Sequence, residues 1–445
     1  MSFDRVLVAN RGEIALRIIE ACRELGLDSI VVYSEADRGM PYLRMAERAI
    51  CIGPADPAKS YLSIPAIISA AEVTGAEAIH PGYGFLSENP DFAEVCSDHG
   101  LTFIGPDHRT IALVGDKLAA RRTVAAAGVP VLPAAPVPDD EADLPAVAAE
   151  VGYPLLVKAV YGGGGRGMRL VQEEGELAAA VTSAAREATA AFGKTELYLE
   201  RALINPRHIE VQVIGDAFGR IAHLGERECS IQRRHQKLIE EAPAPNLDPE
   251  IRAALHAAAL TAARTLDYRS AGTVEFILDA DGNFYFIEMN ARIQVEHPVS
   301  EAVTGVNLVK EQIRIARGEG LSRDEFPIRG HAIECRINAE DPQTGFLPAS
   351  GRLRIKSLPG GYGVRVDTHI YDGMEVRPHY DSLLAKVITW GEDREEAMIR
   401  MYTALERFQI AGVATTRDLA QEIIAHPAFR EGRIGTGFLN EEGIG

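Results

Sequence analysis

Residues 272–297 read GTVEFILDADGNFYFIEMNARIQVEH. On either side of the Asp-Gly pair at 281–282, apolar and polar residues alternate, which is the pattern of two antiparallel strands joined by a tight turn. The stretches HIEVQVIGD (208–216) and HAIECRINAE (331–340) show the same alternation. The sequence therefore predicts a C-terminal lobe built around an antiparallel sheet.

Two acidic residues of this predicted hairpin would lie side by side. Glu275 is on the first strand, Glu288 is on the second, and Asn290 follows on the same face because side chains alternate along a strand. Mg²⁺ prefers hard oxygen ligands and usually combines one or two carboxylates with nucleotide phosphates. Solvent-facing acids are the simpler alternative, but apolar neighbours of Glu288 predict a buried strand, where unpaired charge is costly. The pattern favours a magnesium site.

The residues after the hairpin suggest an anion site. Arg292, Gln294 and Glu296 alternate on a stretch that we expect to be extended, so one face would present a guanidinium, an amide and a carboxylate. Such a set could bind an anion and supply a general base. On spacing alone, a surface ladder of salt bridges explains the pattern equally well.

A glycine-rich run, GGGGRG at 162–167, follows Lys158 between two predicted strands. It formally satisfies the dinucleotide-binding pattern G-x-G-x-x-G, but that pattern requires a following helix and the chain continues MRLV. Residues without Cβ let successive backbone N–H groups converge on a phosphate oxygen. We therefore predict a mobile hairpin that closes over ATP, with a solvated turn as the alternative.

The first part of the chain predicts a parallel sheet. A buried strand at 6–9 is followed by helical apolar spacing at 12–25. Further strand candidates, each separated by a helix-length segment, lie at 29–33, 49–52, 78–80 and 102–104. This order indicates a Rossmann-like lobe that ends near Gly115. The stretch between 130 and 145, rich in proline and acidic residues, suits a surface connection, and a small α+β lobe follows it.

The whole chain has the composition of a globular enzyme with several lobes. It has 445 residues, 46% of them hydrophobic, and a net charge of -18, which disfavours a nucleic-acid surface. The N-terminus lacks a signal-peptide pattern, no segment is apolar enough to span a membrane, and the five cysteines are never in a C-x-x-C pair. We expect a cytoplasmic protein with no zinc site and no membrane or nucleic-acid partner.

Several motifs together resemble the biotin carboxylase family of the ATP-grasp superfamily. They are VLVANRGEIALRI (6–18), AIHPGYGFLSEN (78–89), GDK (115–117), GGGGRGM (162–168), ECSIQRRHQKLIEEAPAP (228–245), EMNARIQVEHPVSE (288–301) and ECRINAED (334–341). The resemblance covers nearly the whole chain. The GEIA, HPGYGFLSEN and QRRHQK strings are specific to biotin carboxylases, so a shared fold alone does not explain the likeness.

The resemblance implies a fold of mixed α/β and α+β class, with a Rossmann-like N-terminal lobe, a small ATP-grasp lid and a C-terminal antiparallel-sheet lobe. The implied divisions are an N-terminal domain at 1–115, a connecting segment at 116–130, a lid at 131–203, a central catalytic domain at 204–330 and a C-terminal region at 331–445.

The resemblance also implies the roles of individual residues. The residues implied to hold ATP are Lys117, Lys158, Gly164, Gly165, Glu200, Arg201, Ala202, Leu203, His208, His235, Glu275 and Glu288. The implied metal ligands are Glu275, Glu288 and Asn290. The implied bicarbonate residues are Lys237, Arg292, Gln294 and Val295, with Glu296 as general base. Tyr83 and Arg336 are implied to meet biotin, and the implied catalytic group is Glu296, Arg292, Arg336 and Lys237.

The implied reaction is the carboxylation of biotin by bicarbonate and ATP with Mg²⁺ or Mn²⁺, through carboxyphosphate. Biotin would be carried by a biotin carboxyl carrier protein, because this chain has no Lys between two methionines, and a carboxyltransferase subunit would use the product. A homodimer is also implied, although Glu20 replaces a basic residue of the family's first helix. Ala291 replaces a family Thr without touching an implied ligand.

Two other functions fit parts of the sequence. Another ATP-grasp ligase, activating a carboxylate for an amine, would share the lid and the magnesium acids but would need neither HPGYG nor the pair Glu296 and Arg336. A catalytically silent nucleotide-binding subunit is the second alternative, and the complete set of polar residues argues against it.

Overall fold

The N-terminal lobe is a five-stranded parallel sheet with helices packed on it. The computed structural model describes residues 2–161, 168–192 and 195–444. The elements of this lobe are β1 (Arg5–Val8), α1 (Gly12–Glu24), β2 (Asp28–Ser34), β3 (Arg48–Gly53), α2 (Ile64–Thr74), β4 (Ala78–His80), α3 (Pro90–Asp98) and β5 (Thr102–Phe103). The strand order β3-β2-β1-β4-β5 and the parallel pairing confirm the predicted Rossmann-like lobe.

Two short helices lead from this lobe to the lid. They are α4 (His108–Gly115) and α5 (Lys117–Ala126), and Asp116 caps the second through its carboxylate, which accepts a hydrogen bond from the Ala119 N–H. That cap fixes where α5 begins. Lys117 is therefore the first residue of a helix rather than part of a loose connection.

The lid is a small four-stranded antiparallel sheet covered by helices. Its elements are β6 (Ala134–Pro136), α6 (Leu144–Val151), β7 (Leu155–Ala159), β8 (Arg169–Val171), α7 (Glu174–Phe192) and β9 (Leu197–Arg201), and the strand order is β6-β9-β7-β8. The expected surface connection at 130–145 is partly wrong, because β6 pairs with β9 at the edge of this sheet, where proline is tolerated. The glycine run with Gly164 and Gly165 lies outside the described residues.

An eight-stranded antiparallel sheet forms the centre of the molecule, in the order β14-β13-β10-β11-β12-β15-β22-β20. Its first elements along the chain are β10 (Arg207–Gly215), β11 (Ile221–Arg233), β12 (Gln236–Ala242), α8 (Pro249–Thr265), β13 (Ser270–Leu278), β14 (Phe284–Asn290), α9 (His297–Thr304), α10 (Leu308–Ala316) and β15 (His331–Asn338). The hairpin of β13 and β14 confirms the pattern of residues 272–297.

The remaining strands and helices lie in the C-terminal region. They are β16 (Glu340–Asp341), β17 (Leu347–Pro348), β18 (Gly351–Arg352), β19 (Arg354–Ser357), β20 (Val364–Thr368), β21 (Glu375–Val376), β22 (Leu383–Gly391), α11 (Arg394–Arg407), β23 (Gln409–Ala411), α12 (Arg417–Ala425), α13 (Pro427–Arg430) and α14 (Phe438–Glu441). Because β15, β22 and β20 extend the central sheet, the C-terminal region shares one continuous sheet with the strands that precede it.

The two faces of the central sheet differ in chemistry. Helix α8 covers one face with the apolar residues Leu255, Ala259, Ala262 and Ala263. Helix α9 crosses the other face, which carries buried ionisable side chains on β10, β11, β12, β15 and β22. Burying so many charges is costly unless each is paired. The polar face under α9 is therefore where a functional site is expected.

Candidate active site

Lys237 is the centre of the polar cluster. Its ammonium nitrogen lies 2.5 Å from Glu210 Oε2, 3.2 Å from Glu275 Oε1 and 2.6 Å from Glu296 Oε1. Burial opposes the charged form, but the surrounding carboxylates outweigh it and raise the pKa of Lys237 well above its usual value. A permanent cation therefore joins β10, β12, β13 and the start of α9.

Glu296 stands at the N-terminus of α9 and is 1% exposed. Burial alone would favour the neutral acid, but Lys237, Arg336 and Arg227 hold the pKa of Glu296 well below its ordinary value. Glu296 is thus a buried carboxylate that the surrounding cations hold in its ionised form. The expectation that Arg292, Gln294 and Glu296 share one extended stretch is wrong at its end, because the chain turns at 295–296 before α9 begins.

Arg336 on β15 reaches the same carboxylate from the other side. Its Nη2 donates to Glu296 Oε2 at 2.9 Å, and its Nε donates to Glu240 Oε1 at 2.6 Å. Burial raises the pKa of Glu240 to about 7, with the nearby Glu296 charge adding to the effect against the Arg336 cation. Arg336 is therefore shared between two buried acids, only one of which is held strongly ionised.

The predicted metal residues lie together beside Lys237. Glu275 and Glu288 are directly opposite each other in the register of β13 and β14, and Asn290 Nδ2 donates to Glu275 Oε1 at 2.9 Å. Lys117 forms a 2.6 Å ion pair with Glu288 Oε2. Two carboxylates and an amide fit a hard divalent cation accompanied by phosphates.

His208 places a ring nitrogen beside this set. It lies 2.9 Å from Glu275 Oε2, and with Glu210 it completes a group whose ligand atoms all lie within 4.8 Å of one another. A second such group consists of Glu210, Cys229 and Glu296.

Arg292 is oriented by contacts that spacing did not predict. Its Nε donates to Glu88 Oε2 of the N-terminal lobe at 2.9 Å, and its Nη1 donates to Gln294 Oε1 at 2.8 Å. Gln294 in turn donates to Glu275 Oε1 at 3.1 Å. Glu88 was missed, although it lies in the stretch AIHPGYGFLSEN that marked the resemblance. The N-terminal lobe therefore contributes directly to the site.

Three of the residues predicted to hold ATP, Lys158, Glu200 and His235, lie where the lid meets the central sheet. Lys158 on β7 and Arg121 on α5 both pair with Glu200 on β9, the second at 2.6 Å. His235 occupies the tight turn between β11 and β12 with a φ of 67°, a left-handed conformation that is unfavourable for most residues. Burial, with Lys158 and His208 nearby, lowers the pKa of His235. Arg121 is a further residue that the sequence did not single out.

The segment that leaves the lid is held by its backbone. The Arg201 N–H donates to the Pro133 carbonyl and the Ala202 N–H donates to the Pro154 carbonyl, both at 2.9 Å. Leu203 follows immediately at the start of the connection to β10. This segment is where the lid joins the central sheet.

Tyr83 approaches the site from the N-terminal lobe. Its hydroxyl donates a short hydrogen bond to Glu13 Oε1 on α1, and burial followed by the Glu13 charge raises the pKa of Tyr83 well above its ordinary value. Tyr83 is therefore a neutral hydroxyl whose donor is already engaged.

Comparisons with known proteins agree across the whole chain. Residues 2–111 match the family described as biotin carboxylase, N-terminal domain; residues 116–324 match the carbamoyl-phosphate synthase L chain, ATP binding domain; and residues 334–441 match the biotin carboxylase C-terminal domain. Among the described residues, no helix has both the length and the apolar character needed to cross a membrane.

Individual relatives are similar over nearly their full lengths. A biotin carboxylase from Pseudomonas aeruginosa is 53% identical, covering 99% of this chain and 98% of the relative. A biotin carboxylase from a Nostoc species is 52% identical, covering 99% of both proteins. The biotin carboxylase domain dimer of Hydrogenobacter thermophilus 2-oxoglutarate carboxylase, solved with MgADP, ADP and bicarbonate, has a TM-score of 0.97 at 48% identity, covering 100% of this chain and 98% of that one.

Proposed function

Because the chain belongs to the biotin carboxylase family, we propose that the cluster around Lys237 carboxylates biotin, using bicarbonate as the carboxyl source and ATP as the activating substrate. The chain is an ATP-dependent carboxylase that forms a carbon–nitrogen bond. The observation that carries the assignment to this cluster is the position of Glu296, an ionised and buried carboxylate between Lys237 and Arg336.

The first half of the reaction activates bicarbonate. Lys237, Arg292, Gln294 and the backbone of Val295 receive the anion, and Glu296 removes its proton as it attacks the γ-phosphate of ATP. The bond between the β–γ bridging oxygen and the γ-phosphorus breaks, giving ADP and carboxyphosphate. The cations around Glu296 offset the charge that develops on the bicarbonate oxygens.

The second half transfers the carboxyl group to biotin. Carboxyphosphate breaks down to CO₂ and phosphate, and the phosphate accepts the proton of biotin N1. Arg336 stabilises the resulting enolate oxygen with a charge-assisted hydrogen bond, and N1 attacks CO₂ to give carboxybiotin. Tyr83 lies against the biotin ring. A lid closed over the site would limit the loss of carboxyphosphate to hydrolysis.

The nucleotide lies between the lid and the central sheet in this proposal. The residues assigned to it are Lys117, Lys158, Gly164, Gly165, Glu200, Arg201, Ala202, Leu203, His208 and His235. Glu275, Glu288 and Asn290 would hold the metal, whose charge would neutralise the charge of the nucleotide phosphates. Lys117 pairs with Glu288 in this structure and would turn to a phosphate when the nucleotide enters.

The proposal includes partners outside this chain. A biotin carboxyl carrier protein presents the biotin, a carboxyltransferase consumes the carboxybiotin, and two copies of the chain form a cytoplasmic homodimer. The solved dimer of the Hydrogenobacter thermophilus domain supports the last point. Two residues of α1 bear on the dimer contact. Arg17 forms an ion pair with Glu301 of the same chain at 2.8 Å, and Glu20, which replaces a basic residue of the family, is exposed.

Measurement of ATP hydrolysis with and without bicarbonate and free biotin tests the function. We expect hydrolysis to require bicarbonate and to rise with biotin, with carboxybiotin formed. ATP hydrolysis that does not depend on bicarbonate and instead increases with an amine acceptor would overturn the proposal in favour of another ATP-grasp ligase.

A further inference from the structure

Lys386 is a buried cation that none of the roles above uses. It lies on β22 directly opposite Arg336 of β15, and its side chain is 0% exposed. Its ammonium nitrogen donates to the backbone carbonyl of Val295 at 3.0 Å and lies 3.1 Å from Glu13 Oε1. The contact with Val295 joins residues that are 91 positions apart in the chain.

Acidic neighbours offset the cost of burying the charge of Lys386. Burial opposes its charged form, but Glu13, Glu334 and Asp367 outweigh burial and raise the pKa of Lys386 above its usual value. Asp367 also pairs with Arg365, and its carboxylate lies 3.8 Å from Lys386. A buried ammonium with several acidic neighbours stays charged and has few alternative positions.

The two close contacts of Lys386 lead to different parts of the site. Val295 lies in the turn between Gln294 and Glu296. A shift of its carbonyl would therefore shift the residues that are proposed to bind and deprotonate bicarbonate. Glu13 also accepts the hydrogen bond of the Tyr83 hydroxyl through the same oxygen, Oε1. One ammonium group therefore contacts the bicarbonate turn directly and the biotin-facing tyrosine through a single carboxylate.

We propose that Lys386 is a positioning residue that holds the 294–296 turn and, through Glu13, Tyr83 in one relative geometry, and so sets the spacing between the bicarbonate and biotin subsites. The inference rests on the proposed function. It differs from a general stabilising role because a loss of spacing should affect bicarbonate and biotin more than the nucleotide, whose residues Lys158, Glu200 and His235 lie away from Lys386 at the lid junction.

The first test replaces Lys386 with methionine, which keeps the length of the side chain and removes its charge. In the full-length protein, the bicarbonate KM of ATP hydrolysis should rise about 10-fold or more, as expected when a hydrogen bond to a charged group is lost. Carboxybiotin formed per ATP hydrolysed should also fall. The ATP KM should stay within about twofold of wild type, since none of the ATP residues that the structure describes contacts Lys386.

The second test separates the two contacts. Glu13→Gln keeps a hydrogen-bond acceptor for Tyr83 but removes the carboxylate charge that faces Lys386. Because Val295 is not disturbed, the bicarbonate KM should remain near wild type while the biotin KM rises. In the double variant the biotin defect should be less than additive, since both substitutions break the contact between Lys386 and Glu13.

Arg394→Met is a matched control. Arg394 pairs at 2.7 Å with Glu241, which is buried next to Glu240 but points to the opposite face of the same sheet. This control should lower the melting temperature without changing either KM.

The outcomes separate this inference from the proposed function. A Lys386→Met protein with the wild-type bicarbonate KM, or with ATP and bicarbonate KM values raised together, overturns the positioning role. If Lys386→Met does not fold, the Glu13→Gln variant is the only test. An unchanged biotin KM in that variant then overturns the positioning role. Absence of bicarbonate-dependent hydrolysis in the wild-type protein would instead contradict the proposed function.

Discussion

Glu296 and Arg336 form a direct ion pair, with Arg336 Nη2 donating to Glu296 Oε2 at 2.9 Å. The proposed mechanism uses them in successive steps, one as base toward bicarbonate and the other as donor to the biotin enolate. Because the two side chains are in contact, the position of Arg336 affects both steps. In the proposed mechanism, a turn of Arg336 toward biotin would remove one of the cations that lower the pKa of Glu296.

The first prediction concerns Glu296→Gln. The amide keeps the size of the side chain but cannot accept a proton, so biotin carboxylation should fall by ~10²- to 10⁴-fold, the range for loss of a general base. ATP binding should persist, because Glu296 faces Lys237 and Arg336 rather than the lid junction. Steady-state carboxylation and equilibrium nucleotide binding measure the two effects. Near-normal carboxylation would remove Glu296 from the role of base.

The second prediction concerns Arg336→Ala. Biotin carboxylation should fall sharply. Carboxyphosphate can still form and decompose, so bicarbonate-dependent ATP hydrolysis should continue without carboxylation of biotin. Phosphate release and carboxybiotin measured in the same reaction show the uncoupling. Loss of ATP binding itself would contradict the assignment.

Arg207→Ala is a matched control for this variant. Arg207 pairs with the buried Glu228 at 2.6 Å, and its side chain is 17% exposed against 15% for Arg336. It should lower stability without uncoupling the reaction.

The third prediction concerns the metal. Glu288→Gln removes one charged ligand and frees Lys117, so the Mg²⁺ concentration for half-maximal activity should rise by at least about 10-fold. A titration of activity with Mg²⁺ at fixed ATP measures it. Asp281→Asn, an exposed acid in the turn of the same hairpin, is the control and should leave the titration unchanged. An unchanged titration for Glu288→Gln would exclude Glu288 as a ligand.

The fourth prediction concerns acid stability. Burial, with Arg11 nearby, lowers the pKa of His369 to about 3, while an unfolded chain protonates this residue near its ordinary value of about 6.5. The unfolded state therefore binds more protons between these values, and stability contributed by neutral His369 is lost as pH falls below about 6.5. His369→Gln cannot titrate and should show a smaller drop in melting temperature between pH 7.5 and 5.5.

His99→Gln is the control for that measurement, since His99 lies at the surface beside Glu72. Its melting temperature should follow the wild-type pH dependence. A slope for His369→Gln equal to that of wild type would show that His369 is not held neutral.

Much of the fold could be predicted because it depends on local periodicity. Alternation with a period of two defines β13 and β14, and the Asp-Gly turn sets the register of the residues next to it. A register shift between Glu275 and Phe276, which the alternation does not predict, places Glu275 opposite Glu288. The parallel N-terminal lobe followed from short apolar strands separated by helix-length segments. The same alternation suggested the magnesium and anion sets, whereas the other roles of the site residues came from the resemblance, and all of these roles stay predictions.

The sequence by itself determined the strand pattern, the family and the inventory of ionisable groups. Only the tertiary structure decided which groups meet: Glu88 with Arg292, Arg121 with Glu200, and Lys386 with Val295. These partners come from distant segments and from different lobes, so no local spacing encodes their contact. The physical reason is that a buried charge is stable only beside a partner, and the packing of lobes and helix α9 on the central sheet supplies that partner.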